Sequence, residues 1–152
     1  LLNSGNVVFS ASSTASQKLE ETLERESVTR LGLTTDYFVR SEAEWAAIIE
    51  HNPFPVEAER DPSHLVVVAL KGEPDADAVK ALQDAIVGRE VARAAGPQLY
   101  IAYPDGIGTS KLTMQRIERK IGTRGTGRNW NTVLKLDAAA RDGTVPRMVR
   151  WS

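Results

Sequence analysis

The sequence contains no cysteine. Disulfides, zinc–thiolate centres and cysteine nucleophiles are therefore excluded, and a cysteine-free chain suits a reducing compartment. Histidine is nearly as scarce, with only His51 and His64 present. Side-chain catalysis would have to draw on carboxylates, Lys, Tyr, Ser or Thr, and no triad, metal pair or cofactor fingerprint is visible. No metal site and no cofactor are expected. Aromatic residues make up 6% of the chain, which weighs against a surface that stacks nucleic-acid bases. Net charge is −1, so global charge makes no case for nucleic acid or membrane. No apolar run approaches the roughly 20 residues of a membrane span, and no signal peptide is visible. The expectation is a cytoplasmic protein with no membrane partner.

What remains is ordinary in amount and uneven in placement. Hydrophobic residues are 41% and charged residues 26% of 152, enough for one sizeable core or two small subdomains. Residues 1–76 carry six Lys/Arg against 13 Asp/Glu, a net −7, whereas residues 77–152 carry 13 against seven, a net +6. Such asymmetry suits intramolecular complementarity, or an acidic and a basic face that a homo-oligomer would pair.

Taken in order, Asn3 to Asn6 is rich in turn residues, and Val7, Val8 and Phe9 read as a short buried strand. Ser10 to Ser16 is a polar loop. A helix over Ala15 to Leu31 places Ala15, Leu19, Leu23, Val28 and Leu31 inward, and sets Glu20, Glu21, Glu24 and Glu26 outward in solvent. Tyr37 to Val39 is a second strand. Ser41 and Glu44 form an S-x-x-E capping box for a helix that buries Trp45, Ile48 and Ile49 and ends at His51-Asn52-Pro53. Val56 to Ser63 reads as an acidic loop. The apolar run Leu65 to Leu70 predicts a central strand covered on both faces. Asp75 is the expected cap of a helix with Val79, Leu82 and Ile86 on one face and Gly88 at its close. Val91–Ala95 and Leu99–Tyr103 form a hairpin about Gly96-Pro97.

The candidate site lies in Pro104 to Leu136. Asp105, Gly106, Gly108, Ser110 and Lys111 form one polar loop. Gly125 and Gly127, followed by Arg128, Asn129, Trp130 and Asn131, read as a second. Glycine permits positive φ and close backbone approach, and backbone N–H groups in such turns attract anions. Between the loops lies a helix with Thr113 as N-cap and Gly122 as C′ residue. Met114, Ile117 and Ile121 share its inner face. Arg116, Arg119 and Lys120, with Arg124 beyond, form a basic surface. The spacing is not a phosphate loop of the G-x-x-x-x-G-K-[ST] kind. For Asn129 and Trp130 the plainer reading is a helix cap and a core anchor. His51 has no partner suggested by sequence.

Four stretches in register, GNVVFS at Gly5–Ser10, NPFP at Asn52–Pro55, PDGIGTSKLT at Pro104–Thr113 and RNWNTVLKL at Arg128–Leu136, resemble the family called domain of unknown function 1697. The resemblance implies an α+β fold of two small ferredoxin-like subdomains packed as one compact unit, in a cytoplasmic and mainly bacterial protein. It implies no activity. On this basis the subdomains are expected at residues 1–62 and 63–140, with a docked or frayed tail at 141–152. Family members usually open with a strand bearing an R-G-I-N-V-G-G-type stretch and a helix. Neither precedes Gly5 here, and the chain starts on Leu1, so the expectation is either further residues upstream or a first subdomain exposed on one side.

Three functions remain open. The first is a binding module whose basic, glycine-rich half holds a phosphate-bearing ligand or nucleic acid, with Trp130 or Tyr100 as stacking platforms if exposed. The second is an enzyme using Asp105, Ser110 and Lys111. The third is a structural or homo-oligomeric interaction protein.

Overall fold

A computed structural model describes residues 5–10, 15–141 and 147–151. Helices and antiparallel strands mix along the chain, and the fold is of the α+β class. The chain divides into two compact units, Leu1–Ala47 with Lys135–Ser152, and Ile48–Leu134.

The first unit holds β1 (Val7–Ser10), α1 (Ser16–Leu31) and β2 (Phe38–Ser41). To these it adds β7 (Arg147–Trp151). The sheet order is β1-β7-β2, antiparallel throughout, with Val149 opposite both Val8 and Arg40. Of the tail expected at 141–152, residues 147–151 form the middle strand of this sheet. Five residues flanked by turn formers are too short a run for alternation to announce a strand. The turn expected at 3–6 and the polar loop expected at 10–16 fall largely outside the described residues.

The orientation of α1 corrects the sequence reading. Val28 and Leu31 are 51% and 73% exposed, whereas Glu20 and Ser27 are buried. Glu20 Oε2 accepts the Val39 N–H at 2.6 Å and lies 3.5 Å from Nη1 of the buried Arg40. Ser27 Oγ and the Tyr37 hydroxyl share a hydrogen bond of 2.6 Å. A buried carboxylate survives only with such partners, and none of them is visible in the helix's own periodicity. The capping box does form: Glu44 Oε1 accepts the Ser41 N–H at 3.0 Å and Ser41 Oγ accepts the Glu44 N–H at 3.1 Å. It opens α2 (Glu42–Glu50), which buries Trp45 and Ile48.

The second unit takes in the end of α2 from Ile48 and continues with α3 (Pro55–Arg60) and a 3₁₀ turn at Pro62–His64. These replace the acidic loop expected there; Pro55 at the first helical position needs no N–H and starts the turn. The unit then runs β3 (Leu65–Leu70), α4 (Ala76–Asp84), β4 (Val91–Ala95), β5 (Gln98–Ala102), α5 (Met114–Ile121) and β6 (Gly125–Asn129). The strand order is β4-β5-β3-β6 with every pair antiparallel, a split βαβ arrangement. All six residues of β3 are buried, as its unbroken apolar run predicts. Val66, Val68 and Leu70 join Leu99, Ile101 and Tyr103 of the β5 segment against Leu82 of α4 and Ile117 and Ile121 of α5. On the other face the buried Tyr100 donates its hydroxyl to the Ile48 carbonyl at 2.7 Å.

Helix α4 ends at Asp84, before Gly88, and Asp75 stands at its N-cap without a side-chain cap bond. Helix α5 is capped as predicted. Thr113 Oγ1 accepts the Arg116 N–H at 3.3 Å, and Gly122 takes the left-handed conformation at φ +80°. The segment around Gly125 and Gly127 is not a loop. It is β6, paired with β3 so that Gly125 faces Leu70 and Gly127 faces Val68. A Cβ on Gly125 would lie 2.8 Å from Val68 Cγ1 and 3.1 Å from the Ala69 oxygen; one on Gly127 would lie 3.1 Å from Met114 Cε. These glycines serve close packing of strand and helix rather than a turn. From β6 the chain enters α6 (Trp130–Arg141).

Candidate functional site

Two connections in the second unit flank a cleft: residues 85–90, between α4 and β4, and residues 103–113, between β5 and α5. Its volume is about 230 Å³. The longer connection is tied down from within. The Gly106 N–H bonds the Tyr103 oxygen at 3.0 Å, with Gly106 at φ +89°, a conformation that costs only glycine little. The Tyr103 hydroxyl donates to the Leu112 oxygen at 3.0 Å. Ser110 Oγ accepts the Leu112 N–H at 3.0 Å and donates to Glu90 Oε1 at 2.6 Å, joining the two connections. Arg89 adds a second tie, its Nε donating to Asp105 Oδ2 at 3.0 Å and its Nη2 to Oδ1.

The wall is apolar where Ala85, Ile86, Val87 and Leu112 line it, and polar at Glu90, Thr109 and Ser110. Lys111 and Arg116 also line it, and both are exposed. Among the described residues neither side chain has a hydrogen-bond or ion-pair partner. The remaining charges are committed differently. Hydrogen bonding from Arg89 holds the Asp105 carboxyl below the usual carboxylate range. Burial pushes the Tyr103 hydroxyl up to about 12, with the Glu90 charge adding to the effect. Tyr103 thus remains a neutral donor. The cleft presents two uncommitted cations beside an apolar wall, a combination able to hold an anion.

Of the residues the sequence singles out, Asp105, Gly106, Ser110 and Lys111 line the cleft, and Arg116 joins them from the basic list. Gly108, Arg128, Asn129 and Asn131 do not line it. Arg128 Nη1 donates to Thr126 Oγ1 at 3.0 Å and to the Gly127 oxygen at 2.8 Å, and partial burial lowers its pKa. Asn129 Oδ1 accepts the Thr132 N–H at 3.0 Å, so it caps α6, and Trp130 is buried. The basic residues Arg119 and Arg124 border a separate, more open hollow at the C-terminal end of α5; Lys120 is simply exposed. Tyr100 is fully buried. Neither proposed stacking platform reaches the surface.

Sequence reasoning missed Arg89, Glu90 and the 85–87 stretch. The paired charges just before a strand were the available signal, since the β4–β5 hairpin, with Val91 opposite Ala102, sets them beside the start of the 103–113 connection. His64, on the 3₁₀ turn, bonds Asp61 Oδ2 through Nδ1 at 2.9 Å and faces Gly106 from outside the cleft. Among the described residues no three His, Asp or Glu side chains gather as metal ligands. None of the described helices is long and apolar enough to cross a membrane.

A family model described as protein of unknown function (DUF1697) matches residues 1–100. The match contains the stretches at Gly5–Ser10 and Asn52–Pro55 and stops within β5, short of the two later ones. No curated protein and no solved structure matches the chain.

Proposed function

We propose, for a chain that belongs to the DUF1697 family of proteins of unknown function, that its second unit is a binding module for a small ligand bearing a phosphate or another acid group. The observation that carries the reading is the pair Lys111 and Arg116. Both line one cleft of about 230 Å³, and neither has a partner among the described residues. Arg116 offers a fork for two acid oxygens and Lys111 a mobile point charge. The burial of Tyr100 and Trp130 favours a small ligand over nucleic acid, because base stacking needs exposed rings. Ser110, held between Glu90 and the Leu112 N–H, is better placed to brace the loop than to act as a nucleophile. We carry forward a cytoplasmic location and, for the second unit, the ferredoxin-like reading of its strand order.

The test is calorimetric titration of the full chain with inorganic phosphate and phenyl phosphate. Lys111→Ala and Arg116→Ala should each weaken binding about tenfold or more, the usual effect of losing a hydrogen bond to a charged group. Failure of these and of every other small acid to bind, or binding indifferent to both substitutions, overturns the reading.

A further inference from the structure

The charges of the cleft do not balance through their own contacts. Asp105 and Arg89 satisfy one another at the rim. That leaves Lys111 and Arg116 on one hand and Glu90 on the other, all lining the same space. Glu90 is only half-buried yet reaches no cation among the described residues; its carboxylate lies over Gly88 and accepts the Ser110 hydroxyl at 2.6 Å. A simple anion held by Lys111 and Arg116 would share the cleft with the Glu90 charge, which weakens its hold. A ligand with a positive group of its own would answer both signs.

The third feature is apolar. Ile86, Val87 and Leu112 line the cleft, and Val87 is 75% exposed, an unusual state for a large aliphatic side chain beside a concavity. The volume of about 230 Å³ corresponds to roughly eight waters at about 30 Å³ each. That suits a ligand smaller than the usual drug-sized occupant.

We propose that the ligand of this cleft is a small zwitterion with an apolar body, of the aliphatic amino-acid class: its ammonium on Glu90, its acid group on Lys111 and Arg116, and its side chain against Ile86, Val87 and Leu112. The inference rests on the anion-binding reading above and adds to it an ammonium subsite and an apolar wall. The acid group is a carboxylate or a phosphonate; the two share the negative charge and the oxygen geometry that the cations recognise.

The experiment is a titration series on the full chain. L-leucine and its phosphonate analogue carry the whole pattern. 4-Methylpentanoate lacks the ammonium, 3-methylbutylamine lacks the acid, and glycine lacks the apolar body. One or both zwitterions should bind at least tenfold tighter than either single-charge compound, and which of the two is tighter identifies the acid group. Glu90→Gln should erase the advantage of leucine over 4-methylpentanoate while leaving the latter bound as well as before or better. Val87→Ser, at an exposed position that does not threaten the fold, should weaken leucine several-fold and leave glycine unchanged. If 4-methylpentanoate or phosphate binds as tightly as leucine to the unaltered chain, the ammonium subsite does not exist, although the anion site stands. If nothing in the series and no phosphate binds, both readings fall. The ligand series on the unaltered chain decides the matter even if Glu90→Gln fails to fold.

Discussion

Replacing Gly125 by alanine tests the account of β6 most directly. The new Cβ would stand 2.8 Å from Val68 Cγ1, 3.0 Å from Leu70 Cδ2 and 3.1 Å from the Ala69 oxygen. Val68 and Leu70 are fully buried and the third neighbour is backbone, so none can swing aside. Overpacking of this kind costs about 1–3 kcal/mol. The loss of unfolded-chain entropy on changing glycine to alanine returns about 0.4–1 kcal/mol. The net expectation is a loss of about 1–2 kcal/mol, or a fall in Tm of about 2–8 °C at about 2–4 °C per kcal/mol. Because β6 pairs with β3 alone among the described residues, it can relax outward, which keeps the loss from rising further. Gly127→Ala should cost less, since one of its two nearest neighbours at 3.1 Å is the flexible end of Met114. Gly72→Ala, with nothing within 4 Å and no positive φ, should be neutral or slightly stabilising. Urea-unfolding midpoints of the three variants give the ranking. A Gly125→Ala protein as stable as Gly72→Ala would refute the packing argument and return this segment to the status of a turn.

Two further outcomes follow from the buried polar groups. Glu20→Gln should destabilise by up to about 3–5 kcal/mol, because it removes the first of the two carboxylate charges, Glu20 and Glu44, that favour the buried Arg40, whereas Glu20→Met with Arg40→Met should recover much of the loss; denaturant unfolding of both proteins checks it, and a single variant no worse than the double one would contradict it. Burial raises the Tyr100 and Tyr103 hydroxyls to about 12, so the folded state favours their neutral form. Stability is then full below pH about 10, the ordinary tyrosine value, and declines as pH rises toward 12, by up to about 2–3 kcal/mol for each group. Unfolding midpoints measured from pH 9 to 12 should fall less steeply in Tyr100→Phe and Tyr103→Phe, and an unchanged slope in the double variant would count against the assignment.

Some of the site was readable from residues alone. Asp105, Gly106, Ser110 and Lys111 are neighbours in sequence and share the cleft because one short connection carries them all. Arg116 follows in the first turn of α5, whose Thr113 cap and Gly122 terminus are local chemistry. The opposite wall was readable only in part. Ala85 to Glu90 reaches the same space through the β4–β5 hairpin, whose register sets Val91 opposite Ala102, but the contacts of Arg89 with Asp105 and of Glu90 with Ser110 depend on how the two connections fold, which no local pattern encodes. Arg128 and Asn129 misled for the opposite reason: residue types that suit ligands were absorbed by backbone partners within three positions.

The amino-acid sequence by itself determined the features whose partners lie within one or two turns of chain: the Ser41–Glu44 capping box, the unbroken apolar strand β3, the β4–β5 hairpin and the span of α5. Tertiary structure alone decided which way α1 faces, since Glu20 is buried by Arg40 and Val39, some twenty residues away. It likewise made Gly125 and Gly127 strand residues and set residues 147–151 between two strands from the other end of the chain. The physical reason is the same in each case. Short-range hydrogen bonds and periodicity are written along the chain, whereas desolvation and steric fit depend on surfaces that exist only once distant segments have met.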